Sequence, residues 1–210
     1  AARRAAERLG AALFEALLNA IDANDDDTGR HVRRVAASAI ALADAAGLDE
    51  TMQREVEHVA LFHDIGKIHA ALFDIVHDGH RLTEADRRAI ATHPERGADV
   101  LAPLAPFYPY LAEGVVSHHE RWDGSGYPRG LRQTEIPLTA RIVAISDSFD
   151  AIVHARRYSA GQSVDAALEA IRRGRGTQFD PELVDLFLSP AVQDRVAREN
   201  ARLGAPRRPG

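Results

Sequence analysis

At 210 residues, 45% of them hydrophobic, the chain can bury one sizeable core, roughly 70% of its unfolded surface. A formal net charge of −5 argues against a general nucleic-acid surface, so any anionic ligand has to be gripped locally. The absence of cysteine excludes disulfides, thiolate nucleophiles and zinc-thiolate sites, which leaves nitrogen and oxygen as the only metal donors.

Alanine is abundant, glycine and proline fall mostly between periodic stretches, and β-branched alternating runs are missing. That pattern predicts an all-α single domain. No stretch approaches the roughly 18 apolar residues of a membrane span and no signal-peptide core opens the chain, so the expected location is the cytoplasm, with no membrane partner. The chain begins at Ala1 rather than methionine, which leaves room for an upstream sensory domain.

Leu9, Leu13, Leu17 and Ile21 repeat at i+4 with Phe14 and Leu18 beside them, predicting an amphipathic helix over 2–22, either a first core helix or the end of a signalling linker. A second helix over 26–46 follows an acidic start suited to the helix dipole. On it His31, Val35, Ala39 and Leu42 share a face, while Asp27, one turn earlier, reads by itself as a solvated N-terminal charge. Asp49 can cap a third helix, on which Val56, Val59, Ala60 and His63 recur at i, i+3, i+4 and i+7. Asp64 follows at once, and Gly66 reads as a helix stop with Lys67 just beyond.

Residues 68–81 read as a polar loop carrying His69, His77 and His80 on the surface. Thr83 with Asp86 resembles a capping box opening a short helix that ends at His93, after which Pro94 starts the next, running to Leu104. Leu111, Val115 and His118 share a face with His119 beside it; two adjacent inward histidines are hard to explain by packing. The glycine-dense loop 120–128 has to turn tightly and can shape a pocket wall. Pro137 opens a long helix with a stripe of Ala140, Val143, Ala144, Asp147 and Ala151, and Asp150 shares that face less fully. Ser163 and Asp180 cap two later helices, and the tail from Glu199 is expected to fray.

Five histidines and two aspartates thus gather at helix faces or ends, more ligands than one ion needs. Such a set suits two ions near 4 Å apart, and imidazole with carboxylate favours iron, manganese or zinc over magnesium or calcium. The chain resembles the HD-GYP family of the HD metallophosphohydrolase superfamily over about 22–188. The carriers are HDIGK at 63–67, HHERWDGSGYP at 118–128, SDSFDAI at 146–152 and QFDPELV at 178–184.

The resemblance implies about seven core helices and hydrolysis of cyclic di-GMP to pGpG, GMP or both, by a hydroxide between two divalent ions, iron or manganese. His31, His63, Asp64 and Asp147 would hold one ion. Asp64 would be shared with a second ion on His93, His118 and His119, with Asp150 supporting the ligands from behind. Asp64 and Lys67 would be catalytic, and Lys67, Arg156, Gly126, Tyr127 and Pro128 would line the substrate. Asp27 stands where three-metal members carry glutamate, so a third ion there is expected to be weak or absent. The stretch after Lys67 departs from the family's usual Gly-Ile-Pro and runs a residue longer, and Arg157 and Ser159 replace a usual proline and basic residue.

The expected layout is 1–22 as N-terminal helix, 23–190 as catalytic domain and 191–210 as C-terminal helix and tail, with a homodimer open. Two other readings are a silent module binding cyclic di-GMP or a protein partner, which would be expected to have lost ligands, and a hydrolase of another cyclic dinucleotide, which the intact GYP loop disfavours.

Overall fold

The computed structural model describes residues 2–24, 26–68, 83–154 and 161–204. Helix α1 (Ala2–Asn24) leads into α2 (Asp26–Ala45) and α3 (Glu50–Phe62), followed by a 3-10 turn (Ile65–Ile68). After the gap come α4 (Glu84–Ile90), α5 (His93–Leu101), α6 (Leu111–Val116), α7 (Leu138–Val153), α8 (Val164–Arg173), α9 (Pro181–Phe187) and α10 (Pro190–Gly204). Among the described residues there is no strand, only an isolated bridge between Arg175 and Phe179. No helix among them is long and apolar enough to cross a membrane.

α2, α3 and α7 pack on one another at the centre, α10 lies along α2, and α5 packs on α6. The centre forms there because α2 buries Val32, Val35, Ala39 and Leu42, α3 buries Val56, Val59 and Phe62, and α7 buries Ile142, Val143 and Ile145. Each large aliphatic or aromatic side chain so buried contributes about 1.5–3 kcal/mol. Alanines 36, 39 and 43 on α2 leave room for close helix approach.

The local signals act where expected. Asp49 Oδ1 accepts from Thr51 N at 3.0 Å and Met52 N at 2.9 Å, starting α3. Thr83 and Asp86 form a reciprocal capping box at α4, and Ser163 and Asp180 cap α8 and α9.

Four expectations shift. α1 turns Phe14 and Ile21 inward, but leaves Leu9 55% and Leu13 41% exposed. A strict i+4 repeat drifts about 40° per step around a helix of 3.6 residues per turn, so its two ends cannot face the same core. α4 stops at Ile90, and His93 is the first residue of α5 rather than the last of its predecessor, because Pro94, without an N–H to donate, sits comfortably in a first turn. α5 itself ends at Leu101, with a 3-10 turn (Ala102–Leu104) completing the stretch. At the C-terminus, α10 continues past Glu199 to Gly204, held by Val192 and Val196 in the core. His69, His77, His80 and residues 156–159, including Arg156, lie outside the described residues.

Candidate metal centre

α3 ends at Phe62 and delivers His63 as its C-cap, with Asp64 next and Lys67 in the 3-10 turn that follows. Gly66 does not end the helix by a left-handed backbone. It is needed because a Cβ there would stand 2.0 Å from the His93 carbonyl oxygen and 2.7 Å from Gly97 N. That close approach seats the 63–67 segment against the first turn of α5. α2 brings His31, α7 brings Asp147 and Asp150, and the end of α6 brings His118 and His119.

Two groups of three ligands result. One ligand atom each from His31, His63 and Asp147 lie within 4.8 Å of one another, and so do atoms of His93, His118 and His119. Asp64 stands between the groups with one oxygen toward each. Its Oδ1 is 3.2 Å from His93 Nε2, and its Oδ2 is 3.5 Å from His63 Nε2 and 3.9 Å from His31 Nε2. Asp147 Oδ1 lies 3.3 Å from His31 Nε2 and 3.7 Å from His63 Nε2. His93 Nε2 and His118 Nε2 are 3.2 Å apart.

The second ring nitrogens decide the chemistry. His63 Nδ1 donates to the Ala60 carbonyl at 2.8 Å, His93 Nδ1 to that of Ile90 at 2.7 Å and His118 Nδ1 to that of Val115 at 2.6 Å. A carbonyl only accepts, so Nδ1 carries the proton and Nε2 of a neutral ring presents a lone pair to the centre. His31 does the same through Asp150, 2.7 Å from its Nδ1.

Burial lowers the His63 pKa, against Asp64 and Asp147, which pull it up. Burial together with His119, His63 and His93 holds His118 well below its usual range. Burial, with His93 nearby, brings His119 down to about 3. These three rings therefore stay neutral at physiological pH, as ligands must be. His63 Nε2 is buried and has no hydrogen-bond partner among the described residues. An orphaned buried acceptor beside carboxylate oxygens fits a cation in the centre.

Burial alone would raise the Asp64 pKa, but Lys67, His63 and His93 outweigh it and hold the carboxyl well below the usual range. Lys67 Nζ is 2.7 Å from both Asp64 oxygens. Tyr127 stacks on His119 with ring centroids 4.9 Å apart, and burial, with Asp64 and Asp147, pushes its phenol up to about 12. Gly126 lies flat on the chain, since a Cβ there would meet Arg121 N at 2.4 Å and His119 O at 2.6 Å.

Asp150 is 2% exposed against 18% for the Asp147 side chain, so it is the deeper of the two, contrary to its weaker place on the predicted stripe. Arg34 reaching in from α2 accounts for the depth. Asp27 is 70% exposed and paired with Arg30 at the start of α2, outside both ligand groups. Glu120, which the sequence reading passed over, is a buried brace. Its Oε1 accepts from Arg129 N at 2.7 Å and its Oε2 from Leu131 N at 3.1 Å, closing the GYP loop. The loop also leans on the start of the QFDPELV segment and the residue before it, Trp122 N donating to Gln178 O at 3.2 Å and Asp123 N to Thr177 O at 2.9 Å. Position gave the only cue for Glu120, directly after the paired histidines in a loop that has to turn.

An all-helical domain with histidines and aspartates converging from α2, α3, α5 and α7 and from the end of α6 defines the class. A sequence profile of the HD domain family matches residues 15–183, and the chain belongs to that family, with the HD-GYP pattern in its loop. It is 38% identical over 180 residues to a cyclic di-GMP phosphodiesterase of Thermotoga maritima, covering 84% of this chain and 49% of that protein. It is 39% identical over 178 residues to the cyclic di-GMP phosphodiesterase response regulator RpfG of Xanthomonas campestris, covering 84% and 47%. The chain spans about half the length of these curated relatives. The crystal structure of a cyclic GMP-AMP specific phosphodiesterase of Vibrio cholerae, V-cGAP3, shares the fold. Its TM-score is 0.64 at 22% identity, covering 92% of this chain and 50% of that one.

Proposed function

We propose that the chain is the catalytic domain of a metal-dependent phosphodiesterase that hydrolyses cyclic di-GMP to pGpG, GMP or both. The observation that carries the reading is Asp64, set between two ligand groups with one oxygen toward each and Nε2 lone pairs around it. His31, His63 and Asp147 would hold one divalent ion, His93, His118 and His119 a second, and Asp64 would serve both. Iron or manganese suits this nitrogen and oxygen set. Bound there, the ions supply Lewis-acid charge and an activated water.

The chain's own groups do the rest. Lys67 stands on Asp64 at the edge of the centre, within reach of a phosphate brought to it, and Arg156 is assigned to the same phosphates. Gly126, Tyr127 and Pro128 form a wall, and a phenol kept protonated to about 12 can only donate to, and never repel, an anionic ligand. Residues 23–190 form the catalytic unit in this reading, 1–22 the end of a signalling linker and 191–210 a C-terminal support. The similarity to two proteins named cyclic di-GMP phosphodiesterases supports cyclic di-GMP as the substrate in this reading.

The test incubates anaerobically purified chain, loaded with Mn2+ or Fe2+, with cyclic di-GMP, 3′3′-cGAMP and cyclic di-AMP separately. Cyclic di-GMP is expected to be cleaved fastest, and Asp64→Ala is expected to abolish turnover and most metal uptake while helical circular dichroism persists. Faster cleavage of another dinucleotide refutes the substrate. Binding without turnover in the loaded chain refutes the enzyme in favour of a silent module.

A further inference from the structure

Asp150 takes hydrogen bonds from His31 and Arg34 on α2 and a close contact, short of hydrogen-bond geometry, from His154, the residue that caps α7. His31 Nδ1 lies 2.7 Å from Oδ2 and His154 Nδ1 2.9 Å from Oδ1, while Arg34 forks onto both oxygens, Nε to Oδ1 at 2.7 Å and Nη2 to Oδ2 at 3.0 Å. Burial would raise this carboxyl's pKa, but His154, His31 and Arg34 together hold it below the usual range, so it stays a charged acceptor.

The need for this arrangement is local. His63, His93 and His118 fix Nδ1 on main-chain carbonyls, whereas His31 lies inside α2, where the helix uses its own carbonyls. Its ring is aimed by a side chain from α7, and that side chain could swivel. A guanidinium fork fixes the carboxylate plane as a single cation cannot. Arg34 sits one turn after His31 on α2, and His154, whose extended backbone ends α7, lies four residues after Asp150, so each clamp is tied through a short stretch of chain to the group it serves.

Building on the two-group metal reading, we propose that Arg34 and His154 are positioning residues. Acting through Asp150, they aim His31 Nε2 and set the metal affinity of the His31, His63 and Asp147 group, leaving the His93, His118 and His119 group unaffected. Neither residue touches the centre itself; the effect passes through one carboxylate to one ligand.

Calorimetry and visible absorption of the metal-free chain titrated with Co2+ alone test this. The wild type is expected to take up two ions in distinguishable steps. Arg34→Met, which keeps length and loses the fork, is expected to weaken one step roughly 10–100-fold and leave the other in place. Arg34→Lys keeps the charge and is expected to recover little of the loss. His154→Gln keeps a donor and is expected to weaken the same step by less, and it carries the test if Arg34→Met does not fold. Equal weakening of both steps, full rescue by lysine, or unchanged binding in folded Arg34→Met overturns the proposal. A wild-type chain that takes up no Co2+ overturns the metal reading beneath it, so the two failures are distinct.

Discussion

Gly66→Ala tests whether the 63–67 segment owes its place to close backbone approach. The added methyl would stand 2.0 Å from the His93 carbonyl oxygen, 2.9 Å from its carbon and 2.7 Å from Gly97 N. All three are main-chain atoms of α5, so no side chain can swing away, and either the turn bearing Lys67 lifts or the start of α5 recedes with His93. Overpacking of this kind costs about 1–3 kcal/mol, and contact with backbone on one whole side puts this case at the upper end. Lower backbone entropy in the unfolded alanine variant returns about 0.4–1 kcal/mol. The net is about 2 kcal/mol, or a melting temperature lower by about 4–8 °C in a domain of this size. Metal uptake should suffer as well, since His93 Nε2 is 3.2 Å from both Asp64 Oδ1 and His118 Nε2 and metal–ligand distances tolerate only about 0.2 Å. Thermal unfolding of the metal-free protein and Co2+ titration read the two effects. Gly176→Ala is the control: its φ is +74° with nothing within 4 Å, so it should cost about 1 kcal/mol of left-handed strain and no metal. A Gly66→Ala variant that melts within about 1 °C of wild type and binds metal normally would refute the reasoning.

Lys67→Ala should raise KM and lower kcat for cyclic di-GMP with metal content intact, as should Arg156→Ala; loss of metal by elemental analysis in either would reassign that residue. Asp27→Ala should leave metal stoichiometry unchanged, because the side chain faces solvent beside Arg30, and a fall from three ions to two would overturn this. His58 packs against Phe14, Tyr108 and Tyr110, and burial, with Arg54 nearby, lowers its pKa from 6.5 to about 4. A base whose folded pKa is depressed adds stability that is fully present above pH 6.5 and is lost as the pH falls toward 4. The interval corresponds to about 3 kcal/mol, reduced to about 1–2 kcal/mol because the ring is partly solvated. Denaturant unfolding of His58→Phe across that window should show a loss smaller by that amount than in wild type. An identical acid limb would exclude His58 as a contributor.

What could be read from the sequence was what is settled within a turn of helix. The Asp49 cap, the Thr83 and Asp86 box and the inward face of His31 depend on neighbours two to four residues away. The depth of Asp150 could not be read, because Arg34, which sets it, lies 116 residues earlier in the chain. The stripe on α7 gave Asp147 the better inward position, and periodicity carries no information about a cation arriving from another helix. Gly66 was legible as necessary but for the wrong reason. A glycine near a helix end suggests a left-handed stop, and only the packed arrangement reveals that the space it leaves is taken by α5.

The helix ends explain why three of the five ligand histidines were easier to find than the way His31 is held. Ala60 lies in the last turn of α3, Ile90 ends α4, and Val115 lies in the last turn of α6, so all three carbonyls are ones a helix leaves without a main-chain partner. His63, His93 and His118 donate to them. A single hydrogen bond thus satisfies the terminating helix, fixes the proton on Nδ1 and points the Nε2 lone pair away from the helix toward the centre. Ending a helix and preparing a ligand are one event. His31 cannot use the device because α2 runs on for fourteen residues beyond it, to Ala45. Its Nδ1 needs an acceptor from elsewhere, and a buried carboxylate in that role needs cations of its own. The Asp150, Arg34 and His154 arrangement is therefore the consequence of placing one ligand in mid-helix.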